Sequence, residues 1–368
     1  MRYRGVELPN ILADEQGKRI KSIGDWQKRR RNELLELFRK HVYGRALIEK
    51  PDYMRVVLNS TEVMMANRAI RKCSTITITG PGGKLDIPFT VFIPSNAKEP
   101  VPVFLLINNR EPHAADSNRN VISGFWPAEQ IIERGYATAV FHVSHIDPDE
   151  HDGFLNGVHG IFDNRQRAGD AWGTIGAWAW GASRVLDALE QDQDIVAKRV
   201  AITGHSRSDK TALWAAAQDE RFAMAISNNS GSTGAAISRQ NKGERIEDIN
   251  TAFPHWFAAN YKLFNGKENG LPVDQHMLLS LIAPRLLYVS SASADAWADP
   301  EAEYSSLCFA EEVYKLYGLK VQSVSKMPEP GVQVCTERTG YHLREGIHDL
   351  TELDWQYFMD FADSRLKK

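Results

Sequence analysis

The chain has 368 residues, of which 43% are hydrophobic, and its formal net charge is −3. This length suits one or two domains with a sizeable core, and the near-neutral charge gives no reason to expect a nucleic-acid partner. No apolar run reaches the roughly 18 residues that a membrane-spanning helix needs, and the start Met1–Gly5 lacks the apolar segment of a signal peptide. The three cysteines, Cys73, Cys308 and Cys335, are too few for a disulfide framework and are expected to be small buried residues.

The first hundred residues predict a helix followed by antiparallel strands. Leucine and phenylalanine recur at helical spacing behind the basic run Lys28–Arg31, which predicts an amphipathic helix over residues 25–41. A Pro-Gly-Gly turn at 81–83 separates the last two of three strand-like segments. The predicted strands cover residues 54–61, 74–79 and 87–93.

Beyond residue 100 the pattern changes to alternating strands and helices. Segments 103–107 and 137–141 are apolar or β-branched throughout, which is typical of strands buried on both faces of a parallel sheet. The alternation predicts one doubly wound α/β domain over residues 1–368, with an extension over about 1–100 and an insertion over about 229–280. The further predicted strands are 199–203, 223–228, 285–290 and 320–325. The predicted helices are 126–134, 171–190, 208–217, 300–317 and 350–365.

The stretch AITGHSRSDKTALW places one serine between a strand-like run and a helix-like run. A serine at such a turn is the layout of a nucleophile elbow, whose usual motif is G-x-S-x-G. Here the motif reads Gly204-His205-Ser206-Arg207-Ser208, without the last glycine. A serine before a helix can also be a simple N-cap, so the motif alone leaves both interpretations open.

A serine nucleophile needs a base, and the base needs an orienting acid. In α/β-hydrolases the acid and then the histidine follow the serine along the chain. His348 lies in a predicted loop between the last strand and the last helix, where this base belongs. After strand 285–290 the chain offers Asp295 and Asp299. Asp295 is nearer the strand end and is preferred, whereas Asp299 precedes a proline and suits a helix N-cap.

A cluster of histidines and aspartates follows strand 137–141. Imidazole and carboxylate groups suit several metals, but these spacings match no closed zinc pattern. We therefore interpret the cluster as a polar loop at the edge of the site and expect no metal. Its members are His142, His145, His151, His159, Asp147, Asp149 and Asp152.

Six ordered segments, with an amino-terminal helix DWQKRRRNELLELFRKHVYGR, resemble the bacterial branch of carbohydrate esterase family 15, the glucuronoyl esterases. The segments are TGHSRSDKTALW, SNNSGSTGAAISR, NTAFPHWFAANY, LPVDQHMLLSLIAPR, DAWADP and GIHDLTELDW. The resemblance spans about residues 7 to 365. It implies an α/β-hydrolase fold, a three-layer sandwich with a mostly parallel sheet, and a serine mechanism without metal or cofactor.

The same resemblance implies a substrate and a location. The family hydrolyses esters that join 4-O-methyl-glucuronate, the acid side chain of glucuronoxylan, to lignin alcohols. This substrate implies a secreted or periplasmic enzyme, and we expect a monomer.

The resemblance also implies roles for individual residues. Ser206 falls on the nucleophile, His348 on the base, and Arg207 on the arginine that stabilises the oxyanion. The implied sugar contacts are Lys210, Glu244 and Trp297.

Two positions depart from the family pattern. Fungal members take their acid from a glutamate just before the SGSTGA block, but Asn229 stands there, which supports Asp295 as the acid. Asp209 replaces a usual glycine and puts a negative charge next to Lys210 in the sequence. Another carbohydrate esterase, such as an acetylxylan esterase, and a non-catalytic carbohydrate-binding relative remain as alternatives.

Overall fold

A ten-stranded sheet runs through the computed structural model, which describes residues 1–46, 48, 50–163, 166–322 and 326–367. A short hairpin of β1 (Arg2–Tyr3) and β2 (Val6–Glu7) is separate from this sheet. The sheet strands are β3 Tyr53–Met64, β4 Ala69–Gly80, β5 Gly83–Pro94, β6 Val101–Asn108, β7 Ala137–His142, β8 Ile195–Thr203, β9 Met224–Asn228, β10 Leu286–Ala292, β11 Gln333–Cys335 and β12 Thr339–Arg344. The α-helices are α1 Ile23–Asp25, α2 Arg31–Phe38, α3 Ala128–Glu133, α4 Gly157–Phe162, α5 Thr174–Leu189, α6 Arg207–Gln218, α7 Ile246–Ala252, α8 Gln275–Ser280, α9 Pro300–Leu316 and α10 Glu352–Leu366.

The sheet changes from antiparallel to parallel across its width. Its strand order is β11-β12-β10-β9-β8-β6-β7-β5-β4-β3. The pairs from β3 to β7 are antiparallel, and the pairs from β7 to β12 are parallel. β11 closes the other edge as an antiparallel strand. This is the doubly wound, mostly parallel sheet that the sequence predicted for an α/β-hydrolase fold.

Helices cover both faces of the sheet. Along β6, Val103, Leu105 and Ile107 belong to one hydrophobic core, and the alternate residues Phe104 and Leu106 belong to the other. The first core includes residues of α2, α5, α6, α8 and α9, and the second includes residues of α3 and α10. Burial on both faces explains the continuous apolar runs in the central strands.

The amino-terminal helix agrees with its prediction and is longer. It runs from α1 through a π-helical turn at Trp26–Arg30, then α2, to a second π-helical turn at Arg39–Tyr43. The aromatic residues Trp26, Phe38 and Tyr43 are fully buried and anchor this segment to the core.

The prediction of a strand over residues 320–325 is wrong for the residues that the structure describes. Residues 320–322 form no strand, and residues 323–325 lie outside the described residues. The last parallel strand is instead β12, of sequence TGYHLR, which is buried throughout. Its glycine, histidine and arginine break the apolar pattern. The polar side chains of His342 and Arg344 can be buried because a buried partner, Asp354, satisfies them in place of water.

The cysteine expectation holds only in part. Cys308 is buried, Cys73 is half-buried and Cys335 is exposed, and all three thiols are free in the described structure. Cys335 is exposed because it lies on β11, the short strand at the edge of the sheet. None of the helices in the described ranges combines the length and apolar character that crossing a bilayer requires.

Candidate active site

The turn between β8 and α6 holds Ser206 in a strained backbone conformation. Its φ is 58° and its ψ is −119°, a region that non-glycine residues occupy at a cost of roughly 1–3 kcal/mol. The Ser206 backbone N–H donates to the Asn228 carbonyl oxygen at 3.1 Å, which ties the turn to β9. Gly204 permits the tight approach, because a Cβ there would lie 2.4 Å from Cβ of Ser208. Within the described residues the Ser206 side chain makes no capping hydrogen bond, so the turn has the layout of a nucleophile elbow.

His348 lies in the loop between β12 and α10, and its imidazole meets Asp295. The distance from His348 Nδ1 to Asp295 Oδ2 is 2.5 Å. Because a carboxylate accepts hydrogen bonds, Nδ1 is assigned as the donor, and in the neutral form of the ring the lone pair is then on Nε2. In the described part of the chain no hydrogen bond joins His348 to the Ser206 hydroxyl. Catalytic hydrogen bonds of this kind often form only when substrate binds.

Asp299, the alternative acid, is occupied elsewhere. Its side chain accepts from the Ala302 backbone N–H and caps α9, as the sequence predicted. It also pairs with Arg4 at 2.5 Å. Burial opposes ionisation of Asp299, but the bond from Arg4 and backbone N–H groups outweigh it and lower its pKa. Asp299 is therefore a structural acid, and Asp295 is the one that reaches the histidine.

Arg207 is the first residue of α6, and its backbone N–H has no partner among the described residues. Its guanidinium donates to Asp149 and lies 5.3 Å from the ring of Trp256 and 5.8 Å from that of Phe253. Asp149 also accepts from His255 Nε2 at 3.0 Å and from the Trp256 indole at 2.7 Å. Burial opposes ionisation of Asp149, but His255, Arg207 and Trp256 together lower its pKa. The charged Asp149 carboxylate therefore orients the Arg207 guanidinium.

The unusual Asp209 lies buried beneath the elbow. Its carboxylate accepts from the backbone N–H of Gly204 at 2.7 Å and of Asn228 at 2.5 Å. It makes no ion pair with Lys210 within the described structure, although the two are adjacent in sequence. Burial raises the pKa of Asp209, and the two backbone donors oppose that rise. Its contacts brace the turn that holds Ser206.

The three proposed sugar contacts lie together. Lys210 is buried, and its Nζ donates to the carbonyl oxygens of Ser230 at 2.5 Å and Ser232 at 2.6 Å. Oε2 of Glu244 lies 3.6 Å from this nitrogen. The Glu244 backbone N–H donates to the carbonyl oxygen of Trp297 at 2.9 Å, and the Trp297 side chain is 58% exposed. Burial lowers the pKa of Lys210, while the charge of Glu244 opposes the shift.

The sequence analysis missed Glu303, a buried acid on α9 near this cluster. Its carboxyl accepts from the Ser291 hydroxyl at 2.6 Å and from the Gly231 backbone N–H at 2.8 Å. Burial raises the pKa of Glu303 to about 8. A signal was present, because Glu303 shares a helix face with Leu307 and Ala310, which are buried core residues.

The sequence analysis also missed His205, a neighbour of the candidate base His348. Its ring centroid lies 4.5 Å from that of His348. Its Nδ1 lies 2.7 Å from Oδ1 of Asn228, so Nδ1 is assigned as the donor. Burial lowers the pKa of His205 well below its usual value, and the charge of His348 adds to this effect. A neutral ring therefore packs beside the candidate base.

The histidine and aspartate loop is occupied by structural contacts. Asp147 meets Nδ1 of His159 at 2.9 Å and accepts from the Thr174 hydroxyl at 2.7 Å. Asp152 accepts from backbone N–H groups of its own turn, including that of Phe154 at 2.7 Å. Over the ranges that the structure describes, no group of three histidine, cysteine or acidic side chains is placed to hold a metal ion.

Comparisons with known proteins agree with the fold. A family model described as "Glucuronyl esterase, fungi" matches residues 76–318. A carbohydrate esterase from an unknown prokaryotic organism is 37% identical, covering 98% of this chain and 89% of its own. The solved glucuronoyl esterase from Solibacter usitatus has a TM-score of 0.92, with 36% identity and 98% of both chains covered.

A second solved structure is described as a promiscuous esterase of carbohydrate esterase family 15 from a marine bacterial metagenome. It has a TM-score of 0.88 and 35% identity, with 98% of this chain and 97% of its own covered. These matches confirm the resemblance found in the sequence. The chain belongs to the glucuronoyl esterases of carbohydrate esterase family 15, and it is a carboxylic ester hydrolase with the α/β-hydrolase fold.

Proposed function

We propose that this enzyme hydrolyses esters of 4-O-methyl-glucuronate through an acyl-enzyme on Ser206, with His348 as base and Asp295 as orienting acid. The observation that carries the proposal is the 2.5 Å contact between His348 Nδ1 and Asp295 Oδ2. Both residues follow parallel strands at their carboxyl ends, and Ser206 follows another strand of the same sheet. Active sites of such sheets lie at this edge.

The proposed reaction has two acyl-transfer steps. His348 Nε2 accepts the Ser206 hydroxyl proton while Oγ forms a bond to the ester carbonyl carbon. The bond from that carbon to the alcohol oxygen then breaks, and His348 returns the proton to the leaving alcohol. Water repeats the sequence on the acyl-enzyme and releases the uronic acid. Asp295 stabilises the imidazolium that forms in each step.

Arg207 is the proposed oxyanion stabiliser. Its unpaired backbone N–H at the elbow is the donor expected of this fold, and its guanidinium adds positive charge. The ion pair with Asp149 holds that guanidinium in place before substrate arrives. Loss of one such donor typically lowers kcat by about 10²–10³.

Lys210, Glu244 and Trp297 are the proposed contacts to the sugar. A lysine ammonium has three donors, and two of those of Lys210 are used by the Ser230 and Ser232 carbonyl oxygens. The third faces the Glu244 carboxylate at 3.6 Å, so a sugar hydroxyl placed between the two groups could accept from Lys210 and donate to Glu244. The exposed indole of Trp297 can pack on the sugar ring.

We further propose that the natural substrate is a glucuronate ester of xylan linked to a lignin alcohol. The relative from Solibacter usitatus is a glucuronoyl esterase. Xylan linked to lignin lies outside the cell, so we propose that this enzyme acts outside the cytoplasm. Detection of activity in the medium or periplasm of the producing cells, and its absence from their cytoplasm, is the result expected.

Turnover of two substrates tests the proposed function. We expect release of benzyl alcohol from benzyl glucuronate and little release of acetate from acetylated xylan. The Ser206→Ala variant is the matched control, because it changes one oxygen atom and leaves the sugar contacts in place. Faster deacetylation than uronate hydrolysis would instead favour an acetylxylan esterase, and absence of both activities would favour a binding protein.

A further inference from the structure

One buried arginine holds the loop that carries His348. Arg344 is the last residue of β12 and is 4% exposed. Its Nη2 donates to the carbonyl oxygens of Ile347 at 2.9 Å and Asp349 at 2.6 Å, the residues on either side of His348. Its Nη1 donates to the carbonyl oxygen of Glu345 at 3.2 Å. The arginine therefore bonds to the backbone both before and after the candidate base.

Arg344 is itself held by a buried acid on α10. Its Nε donates to Asp354 Oδ2 at 2.9 Å, and Asp354 is fully buried. The Asp354 carboxylate also meets Nε2 of His342 at 2.9 Å and accepts from the Thr351 backbone N–H at 2.8 Å. Hydrogen bonds from several directions fix the guanidinium plane, so the planar fork can hold the loop in one geometry.

Asn229 supplies a further donor to the same loop. Its Nδ2 donates to the Asp349 carbonyl oxygen at 3.2 Å. Its backbone has φ of 49°, a left-handed conformation that asparagine tolerates, and its N–H donates to the Ser290 carbonyl oxygen at 2.9 Å. A carboxylate at this position could not donate to Asp349. The Asn229 amide therefore binds the loop that carries His348 (the base loop, residues 345–349).

We propose that Arg344 and Asn229 are positioning residues, which hold the His348 backbone so that Nδ1 stays aligned with Asp295. This role rests on the proposed function. The His348 side chain is 42% exposed, and solvent does not restrain its orientation. Asp295 and the His205 ring contact the imidazole, and the loop backbone sets the position from which it reaches them. A displacement of about 1 Å can lower turnover roughly 10²-fold.

An outer contact on the same loop provides a contrast. Arg110 pairs with the side chain of Asp349 at 2.7 Å, but both groups are more than a third exposed. Exposed ion pairs contribute little to stability, and Arg110 binds the Asp349 side chain rather than a carbonyl oxygen next to His348. Arg110→Gln is therefore expected to change kcat less than Arg344→Gln does.

Steady-state kinetics of Arg344→Gln, Arg344→Lys and Asn229→Asp on benzyl glucuronate test the proposal. We expect Arg344→Gln to lower kcat by about tenfold to a hundredfold, with KM changed less than about twofold. Arg344→Lys should lose less, because an ammonium can still reach one of the carbonyl oxygens. Asn229→Asp should also lower kcat, since a carboxylate would face the Asp349 carbonyl oxygen.

Arg285 is the matched control for lost stability. It is a half-buried arginine that donates to the carbonyl oxygens of Ala216 at 2.7 Å and Phe222 at 3.0 Å, away from the base loop. Arg285→Gln should lower Tm and leave kcat within about twofold of the wild type. The downfield proton NMR signal of His348 Nδ1–H should be present in the wild type and in Arg285→Gln, and weakened or shifted in Arg344→Gln.

The outcomes separate this proposal from the proposed function. A folded Arg344→Gln or Asn229→Asp variant with wild-type kcat would overturn the positioning role, as would an equal loss of kcat in Arg285→Gln. Asn229→Asp decides the matter where Arg344→Gln fails to fold. A His348→Ala variant with wild-type turnover would instead overturn the proposed function itself.

Discussion

Two buried carboxylates near the elbow have different partners. Asp295 meets the imidazole of His348, a side chain that is 42% exposed and can gain or lose a proton. Asp209 accepts from the backbone N–H groups of Gly204 and Asn228, which cannot titrate. Asp295 can stabilise a proton gained by the His348 ring, whereas Asp209 holds the backbone of Gly204 and Asn228 in place.

The comparison teaches that burial alone does not identify a catalytic acid. Both aspartates are at most 5% exposed, and Asp209 is the closer of the two to Ser206 in sequence. The type of partner distinguishes them, because a titratable ring is needed for general base catalysis and backbone amides are not. Substitutions at the Ser206, His348 and Asp295 group should therefore change turnover, and substitutions at carboxylates bound to backbone should change stability.

The largest effect is expected at the nucleophile. Ser206→Ala should lower kcat on benzyl glucuronate by about 10⁶, because no other group can form the acyl-enzyme. His348→Ala should lose a similar factor, and the double variant should be little worse, since members of a triad act as a unit. A Ser206→Ala enzyme that keeps a substantial fraction of wild-type kcat would remove Ser206 from the mechanism.

The two aspartates should separate activity from stability. Asp295→Asn is expected to lower kcat by up to ~10⁴ and to leave Tm nearly unchanged, because the histidine loses its orienting partner. Asp209→Asn should lower the free energy of unfolding by about 1–3 kcal/mol, since its amide would face a backbone N–H that then lacks an acceptor. Its loss of kcat should be far smaller than that of Asp295→Asn. Urea denaturation together with kcat for both variants checks this, and the reverse pattern would exchange the two roles.

Asp299→Asn is the natural control for Asp295→Asn. Asparagine can still cap α9, but it loses the charge that pairs with Arg4, so we expect a loss of about 1.5–3 kcal/mol in stability and little change in kcat. A large loss of kcat at Asp299 would move the orienting acid to that residue.

Glu303 extends the comparison to pH. Burial raises the pKa of Glu303 to about 8, from an ordinary value of 4.5. Between these values the folded chain binds a proton that the unfolded chain releases, so stability falls as pH rises from about 4.5 towards 8. Glu303→Gln cannot ionise, and its Tm should therefore improve relative to the wild type across that interval.

Calorimetry at several pH values from about 5 to 8 checks this direction. The exposed Glu99→Gln is the control, because its Tm should follow the wild type at every pH. A wild-type Tm that rises relative to that of Glu303→Gln as the pH increases would contradict the expected sign.

Much of the fold followed from local patterns in the sequence. Continuous apolar runs identified most central strands, and their alternation with helices indicated the parallel sheet. The placement of Ser206 and Asp295 after their strands was also predictable, because topology brings the carboxyl ends of parallel strands to one edge. The loop that carries His348 before α10 was predicted, but the strand β12 that precedes it was not. The catalytic roles of these three residues stay predictions.

The parts that could not be predicted depend on contacts distant in sequence. The strand β12 was missed because His342 and Arg344 are polar, and only their buried partner Asp354 makes their burial acceptable. Arg207 binds Asp149, which lies 58 residues earlier in the chain. No spacing rule within one segment reports such a pair.

The smallest effect is expected at Trp297, on the exposed side of the site. Its indole is 58% exposed, so removal leaves little cavity and should hardly change Tm. Aromatic pairs gain roughly 0.5–1.5 kcal/mol from ring packing, and a comparable gain for the indole on a sugar corresponds to about a twofold to tenfold rise in KM for benzyl glucuronate in Trp297→Ala. Because the proposed contact is made in the ground state and the transition state alike, kcat should stay near the wild-type value.

The matched control is Leu58→Ala, which removes a similarly exposed apolar side chain, 56% exposed, from β3 at the far edge of the sheet. It should leave KM unchanged. Small acetyl esters offer no uronate ring, so Trp297→Ala should hydrolyse them as the wild type does. An equal rise in KM for acetyl and glucuronate esters would show that Trp297 shapes the entrance to the site and does not recognise the sugar.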